Sequence, residues 1–546
     1  MQSSFSTLDY LVFAGYALLI VTLGLYVSRN KKGKKKDSQD YFLASKSLPW
    51  WAIGASLIAA NISAEQCIGM SGSGFAIGLA IASYEWIGAL GLIVVGAFFL
   101  PIFLKKGIYT MPQFLAERFD RRVQTALATF WLLVYVFVNL TSVLWLGALA
   151  IHTIMGIPVF WGVIGLAAFA AIYSIYGGLK AVAWTDVVQV IFLIAGGLIT
   201  TFLALNTIGA GEGALAGFMN MMDEVPEKFN MIIRKGELMI PDGDGGMRDA
   251  WFDLPGLSVI IGGMWIANLA YWGFNQYIIQ RGLAAKSIRE AQYGVVFAGF
   301  LKILMPLIVV VPGIAAYMVN QDPAAFGLEN VEPITRSDQA YPWLLHNFVP
   351  TGIKGIAFAA LTAAIVSSLA SMLNSTSTIF TMDIYRTYIR KEVSETHLVR
   401  VGRITALAAL VIAVATAKPL LGGLDQAFQY IQEFTGFITP GVCAIFLAGL
   451  FWKRATANGA LWSISMSIPV SFAFKYLLPQ IPFMNRWAYV FFILAAILIV
   501  VSILERKGDH PKAIRFDKGL FHTDTRFKAA SILIMAILAA LYIMFW

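Results

Sequence analysis

The sequence AANISAEQ, residues 59–66, interrupts an otherwise apolar segment that runs from residue 50 to residue 70. A second apolar segment, residues 257–280, is interrupted in the same way by NLAYWGFNQ at residues 268–276. Inside a bilayer, a helix breaks only where its freed backbone groups line a cavity, and there they can bind cations and polar solutes. The two interruptions therefore predict a helical membrane protein with a polar site near the middle of the bilayer.

The composition is that of a chain that crosses a bilayer many times. Of its 546 residues, 58% are hydrophobic and 13% are charged, about half the charged share of a soluble domain. The net charge of +9 does not predict a nucleic-acid partner, because the basic residues lie in short runs between apolar segments. Two cysteines, both inside apolar stretches, and five scattered histidines show no metal-ligand spacing. The sequence also shows no nucleophile–base signature, so we expect no enzyme active site, and we expect no organic cofactor.

Hydropathy divides the chain into fourteen predicted transmembrane helices, since each apolar segment is far longer than a barrel strand needs. The predicted spans are residues 8–27, 50–70, 76–104, 123–150, 158–176, 184–208, 257–280, 294–318, 355–381, 401–417, 426–450, 457–477, 487–504 and 529–546.

Every second loop between these spans is basic, which predicts the orientation of the chain. The basic loops are residues 28–49, with its lysines at 31–36, and then 105–122, 281–293, 382–400, 451–456 and 505–528. Basic loops face the cytoplasm, so both termini should lie outside the cell or in the periplasm. Basic residues follow the first span instead of preceding it, which favours a retained helix over a signal peptide. We expect a multi-pass protein of the plasma membrane, the inner membrane in bacteria, with the lipid bilayer around it and no obligate protein partner.

The order of the spans predicts an inverted repeat. If the first span, 8–27, is set aside, the two interruptions fall in the first helix of each of two five-helix halves, residues 50–208 and 257–450. The halves start on opposite sides of the membrane, and three further helices follow in residues 457–546. This all-α, LeuT-like pattern is typical of sodium-coupled transporters. The alternative is that the polar residues only hold neighbouring helices together.

Ionisable and hydroxyl side chains inside the spans are candidate site residues, because charge at membrane depth is costly. Glu85 and Lys302 can share a polar cavity and bind sugar hydroxyls; alternatively they form a structural ion pair or reach the membrane surface. Asp186, near the start of its predicted span, suits an ion path or a helix cap. Ser367 and Ser368 offer two neighbouring hydroxyls for a monovalent cation, although serine also bonds its own helix backbone.

Aromatic and amide side chains suggest how a sugar is held. Phe428 and Gln432 lie four residues apart and so share one helix face, which places a ring beside an amide. Tyr271 and Trp272, at the second interruption, can cover the opposite face of a sugar ring. Such aromatic residues are also common in plain helix packing.

The chain resembles the solute:sodium symporter family, in particular the bacterial sodium/galactose symporters of the sodium/glucose cotransporter branch. The resemblance rests on residues 50–86, which contain ASLIAANISAEQ and ASYEW, on YSIYGGLKAVAWTD at 173–186, on residues 268–281, and on residues 359–383 with SSLASMLNST. Within the second stretch, Gly177, Gly178 and Leu179 match a family hallmark.

The resemblance implies a set of site residues. The implied sugar ligands are Gln66, Glu85, Asn268, Lys302 and Gln432, with Asn61 nearby. The implied gates are Tyr271, with Trp272 beside it, on the inner side and Met70, Tyr84 and Phe428 on the outer side. The implied sodium ligands are the carbonyls of Ala59, Ile62 and Ala364 and the hydroxyls of Ser367 and Ser368, with Asp186 on the sodium exit route.

These residues lead us to expect sodium-coupled import of a hexose such as galactose or glucose by alternating access. Gly88 stands where the galactose symporters have a serine, which leaves the exact sugar open. Another solute, such as sialic acid, an amino acid or another organic anion, remains the alternative. A carboxylate site should place an uncompensated Arg or Lys at the interruptions, and the sequence shows none there. A channel more often has a repeated filter motif or rings of charge.

Overall fold

A computed structural model describes residues 5–29, 37–241, 246–328, 331–421, 427–517 and 519–546. The lysines at 31, 32, 34, 35 and 36, which help to make the first predicted cytoplasmic loop basic, lie outside the described residues. The described residues are mostly helical. A small antiparallel hairpin is also present, in which strand Met239–Pro241 pairs with strand Met247–Asp249.

Each of the fourteen predicted spans overlaps one or more helices. From residue 7 to residue 208 the main helical segments are Thr7–Ser28, Trp50–Asn61, Glu65–Met70, Ser71–Ile77, Ser83–Val94, Val95–Phe99, Leu100–Lys106, Met111–Arg118, Arg121–Val134, Tyr135–Leu140, Thr141–Met155, Val159–Gly177 and Leu179–Ile208. From residue 214 onward they are Ala214–Glu224, Val259–Gly263, Met264–Phe274, Gln276–Leu283, Ile288–Gln321, Ala340–Phe348, Ile353–Ile379, Phe380–Ile389, Glu395–Leu421, Ala427–Thr435, Thr439–Phe451, Ala457–Leu477, Phe483–Glu505 and Thr525–Met544.

Length and composition make this a multi-pass membrane protein. Among the described residues, nine helical stretches are long and apolar enough to cross a bilayer, and three shorter apolar helices accompany them. Large apolar side chains such as Leu11, Ile191 and Ile543 are exposed on the outer helix faces. An apolar surface of this extent is stable in contact with lipid.

Both predicted interruptions are real breaks in the helices, and both are narrower than expected. The first helix ends at Asn61, and Ile62 has extended backbone (φ −76°, ψ 106°) before the chain turns helical again. The second break is at Asn275 (φ −81°, ψ 121°), between Met264–Phe274 and Gln276–Leu283. Asn268, which we expected inside the interruption, therefore lies on a helix.

A third break divides the predicted span 426–450, which we had expected to be one helix. Residues 436–438 form a turn between Ala427–Thr435 and Thr439–Phe451. Pro440 supplies the physical reason, because it has no backbone N–H and its ring would clash with the carbonyl of residue 436 in a continuous helix. We call Ala427–Thr435 the lid helix and residues 436–438 its hinge.

The core is built around one deeply buried helix. Ile353–Ile379 is buried on nearly all its sides and packs against Leu179–Ile208, against the first broken helix and against Thr7–Ser28. Ile288–Gln321 packs against the first broken helix from another side. The breaks are thereby enclosed by long continuous helices, which keeps their freed backbone groups away from lipid.

Candidate solute and sodium sites

A polar cavity lies where the breaks meet. Every residue predicted to bind the sugar or to gate it lines this one cavity: Asn61, Gln66, Met70, Tyr84, Glu85, Asn268, Tyr271, Trp272, Lys302, Phe428 and Gln432. Side chains far apart in sequence thus converge on a single polar chamber.

Glu85 and Lys302 form an ion pair in the wall of the cavity. The Lys302 ammonium donates to Glu85 Oε2 at 2.5 Å, and each side chain is 2% exposed. The ammonium also lies 5.0 Å from the centre of the Trp272 ring. An ammonium has three N–H donors and a carboxylate has several acceptor positions. The pair can therefore neutralise itself and still bind hydroxyl groups of a solute.

Gly88 allows the wall beside this pair to close tightly. Trp272 Nε1 donates to Asn268 Oδ1 at 3.2 Å, and Asn268 Nδ2 donates to the Met264 carbonyl at 3.0 Å. A Cβ atom on Gly88 would lie 3.0 Å from Asn268 Oδ1 and 3.2 Å from Trp272 Nε1. A side chain at this position would press on both residues, so the missing side chain shapes the cavity.

A chain of hydroxyl groups closes one end of the cavity. Tyr271 OH accepts a hydrogen bond from Asn61 Nδ2 at 3.0 Å and another from Tyr277 OH at 2.7 Å. Tyr135 OH donates to Asn275 Oδ1 at 2.5 Å, directly at the second break. Neither Tyr277 nor Tyr135 is among the residues expected at the site from the sequence. Tyr277 follows the break by two residues, and this proximity was its only signal in the sequence.

The first break is held by its own side chains. The backbone N–H and the hydroxyl of Ser63 both donate to Gln66 Oε1, at 3.0 and 2.9 Å. The Gln66 oxygen therefore stabilises the break, and its NH₂ group remains for a solute. Glu65 Oε1 accepts from the Ser142 hydroxyl at 2.5 Å, and Glu65 also lines the cavity. Glu65 is not among the site residues expected from the sequence.

Aromatic side chains cover the other side of the cavity. The rings of Tyr84 and Phe428 meet edge to face, with centres 5.2 Å apart and planes at 84°. Both side chains are buried, as is Met70. A Cβ atom on Gly69 would lie 2.8 Å from the Phe428 Cβ, so the lid helix lies directly against the first broken helix.

The residues expected to bind sodium lie where Ile353–Ile379 contacts the first broken helix. The Ser368 hydroxyl donates to the Ala60 carbonyl at 3.0 Å, next to Ala59 and close to Ile62. The Ser367 hydroxyl donates to Asp186 Oδ1 at 2.6 Å. Ala59, Ile62 and Ala364 are buried. That these oxygens act together as sodium ligands stays a prediction.

Asp186 is not a helix cap. Its helix begins at Leu179, earlier than predicted, so Asp186 lies within the helix and is fully buried. Asp186 Oδ2 accepts from the Ser56 hydroxyl at 2.5 Å and lies 3.5 Å from an Arg281 guanidinium nitrogen. Arg281, expected at the start of a basic loop, is instead fully buried in Gln276–Leu283 and also donates to the Ser371 hydroxyl.

Known proteins with similar sequences are solute transporters. The sequence profile of the Sodium:solute symporter family matches residues 41–466. A sodium/glucose cotransporter of Vibrio parahaemolyticus is 53% identical, with 100% of this chain and 99% of that protein covered. A sodium/myo-inositol cotransporter of Mus musculus is 34% identical, with 92% of this chain and 74% of that protein covered.

Solved structures share the fold. A Na⁺-coupled sialic acid symporter, in a substrate-bound outward-open state, superposes with a TM-score of 0.78 at 22% identity, covering 92% of this chain and 98% of that chain. Mhp1, a nucleobase-cation-symport-1 family transporter in a closed conformation, gives a TM-score of 0.52 at 14% identity, covering 91% and 99%. At these identities the likeness concerns the fold alone, which is the LeuT-like class expected from the paired breaks.

Proposed function

The chain belongs to the sodium:solute symporter family, and we propose that it imports a hexose such as galactose or glucose together with sodium, by alternating access. Family membership makes it a transporter and not an enzyme. The observation that carries the choice of a sugar is the cavity wall formed by Glu85 and Lys302. The relative named as a sodium/glucose cotransporter, identical at 53% of positions, supports the same choice.

The charge balance of the cavity favours a neutral, hydroxylated solute. Lys302 is the one cation among the described residues that line the cavity, whereas two carboxylates, Glu65 and Glu85, line it. Glu85 neutralises Lys302 at 2.5 Å. A solute carboxylate would compete with Glu85 for that ammonium and would leave one of the two anions unpaired in the interior. The amides of Asn61, Asn268 and Gln432 suit hydroxyl groups. Sialic acid, an amino acid or another organic anion is thus the less favoured alternative.

The contact between Ser368 and the Ala60 carbonyl suggests how sodium couples to the sugar. A sodium ion bound by the carbonyls of Ala59, Ile62 and Ala364 and by the two serine hydroxyls would hold the first broken helix against Ile353–Ile379. The first broken helix carries the residues of the first break that face the cavity. Sodium and sugar would then favour the same arrangement, and the coupling between their binding must be reciprocal.

The topology is part of the proposal. We propose fourteen crossings with both termini outside, the first helix (8–27) outside two inverted repeats (50–208 and 257–450), and three final helices (457–546). The basic loops support this orientation. The protein would reside in the bacterial inner membrane without an obligate protein partner or organic cofactor.

The test is uptake into proteoliposomes with an inward sodium or potassium gradient. Radiolabelled galactose, glucose, myo-inositol and sialic acid are compared at equal concentration. We expect sodium-dependent uptake of at least one hexose and none of sialic acid; equal hexose uptake in potassium alone would contradict the proposal. Ser368→Ala should weaken the sodium dependence. The matched control is Ser531→Ala, at a buried serine whose hydroxyl donates to the Phe527 carbonyl of its own helix.

A further inference from the structure

The hinge of the lid helix is held by two helices that lie outside the inverted repeat. The lid helix presents Phe428 and Gln432 to the cavity, so its position decides whether the solute is enclosed. Glu433, the next residue, is directed away from the cavity lining and meets cations from two later helices. The contacts around Glu433 and the hinge therefore connect the C-terminal helices to the solute site.

Glu433 is bound by two cations at once. Arg486, on Phe483–Glu505, lies 2.6 Å from Glu433 Oε1, and Lys475, on Ala457–Leu477, lies 3.2 Å from Oε2. The side chains are 21%, 13% and 24% exposed for Glu433, Arg486 and Lys475. Partial burial weakens solvent screening, so these pairs are stronger than pairs on an open surface. Both carboxylate oxygens are engaged, which restrains rotation of the lid helix.

The helix that carries Lys475, Ala457–Leu477, also contacts the end of the lid helix and its hinge. The Lys475 ammonium lies 4.7 Å from the ring centre of Phe434 and 5.8 Å from that of Phe437. The Ser467 hydroxyl donates to the Phe437 carbonyl at 2.8 Å, and the Ser471 hydroxyl reaches the same oxygen at 3.4 Å. At a break in a membrane helix such carbonyls need partners from neighbouring elements. Here one helix provides them.

Trp487, on Phe483–Glu505, also packs against the hinge. A Cβ atom on Gly436 would lie only 1.8 Å from Trp487 Nε1, so the indole fits against the hinge only because residue 436 is glycine. Trp487 also lines the solute cavity. Two consecutive residues of one helix therefore make all three contacts: Arg486 pairs with Glu433 of the lid helix, and Trp487 contacts both the hinge and the solute cavity.

We propose that Ala457–Leu477 and Phe483–Glu505 act as a clamp on the lid helix, with Glu433, Lys475 and Arg486 as positioning residues that favour the closed, solute-binding arrangement. None of the three is proposed to touch the solute. Loosening the clamp lowers the fraction of molecules whose lid is in place, and apparent solute affinity falls in proportion to that fraction. The transport part of this inference rests on the proposed function, but the lid motion does not.

The experiment compares Glu433→Gln, Arg486→Gln and the double variant with the full-length wild type in detergent and in proteoliposomes. Hydrogen–deuterium exchange measures opening of residues 427–438 without any solute. Sodium-driven galactose and glucose uptake measures KM and Vmax. The matched control is Arg289→Gln, which removes an exposed ion pair with Asp524 on another part of the protein.

Each single variant should speed exchange in residues 427–438 and raise the KM about fivefold or more, with a smaller effect on Vmax. The double variant should add little, because the two residues act through one contact. Unchanged exchange in the lid helix, or faster exchange spread evenly over the protein, would overturn the clamp. Absence of hexose uptake by the wild type would instead refute the proposed function, and the exchange comparison would still decide the clamp.

Discussion

Removing the charges of Glu85 and Lys302 separates their structural role from their role in binding. Three variants are needed: Glu85→Gln, Lys302→Gln and the double variant. Each single variant leaves one charge at a site where both side chains are 2% exposed and the partner had been 2.5 Å away. The double variant leaves two amides that can bond each other.

The expected magnitudes follow from burial. Breaking a buried ion pair by removing one partner costs about 3–5 kcal/mol, because the remaining charge is unpaired, whereas removing both charges is often nearly neutral. Hydrogen bonds between a solute and charged groups contribute about 1.5–3 kcal/mol each. Losing one such bond lowers affinity about tenfold to a hundredfold. Stability should therefore fall in both single variants and recover in the double variant, while sugar affinity stays low in all three.

The assay pairs a thermal-stability measurement in detergent with sodium-driven hexose uptake at saturating and sub-saturating sugar. The informative species is the double variant, which should be as stable as the wild type and still fail to transport. If the double variant regains both stability and uptake, the ion pair is only structural. In that case the assignment of Glu85 and Lys302 to the sugar site is wrong.

Three further outcomes are expected. Gly88→Ser should change the ratio of galactose to glucose uptake several-fold, because the new side chain presses on the wall at Trp272; an unchanged ratio would show that this wall does not select the sugar. Tyr271→Phe removes the acceptor of the bonds from Asn61 and Tyr277, a loss of about 0.5–1.5 kcal/mol for each bond. It should alter the uptake rate more than folding, as measured by initial uptake rates beside thermal stability. In the loop after residue 208, burial lowers the pKa of Lys228 from 10.5 to about 8. Between pH 8 and pH 10.5 the unfolded chain therefore keeps the proton on Lys228 while the folded protein releases it. The free energy of unfolding should then rise with pH over this range. Lys228→Met should abolish that rise in a pH series of thermal unfolding.

Local sequence was enough to place the helices and the first two breaks. Long apolar runs can only be helices in a bilayer, and AANISAEQ puts polar groups where a continuous helix would expose them. The family resemblance implied that Gln66, Glu85, Lys302 and Gln432 belong to one site, and in the structure all four line one cavity. That they bind a sugar stays a prediction. The sequence also contains a sign of the third break, because Pro440 stands four residues after Gly436 in a predicted helix. The apolar residues around Pro440 made that segment look like one continuous span.

Only the tertiary structure decided which charges meet. Arg281 appeared to belong to a basic loop, and its pairing with Asp186, 95 positions away along the chain, depends on how two helices pack. The clamp of Lys475 and Arg486 on Glu433 likewise joins three helices. The physical reason is that hydropathy is a property of each residue, whereas the energy of a buried charge depends on its distance to another charge. The sequence by itself determined a sodium-coupled membrane transporter with paired broken helices, and the packing of those helices determined which side chains can hold the solute and close over it.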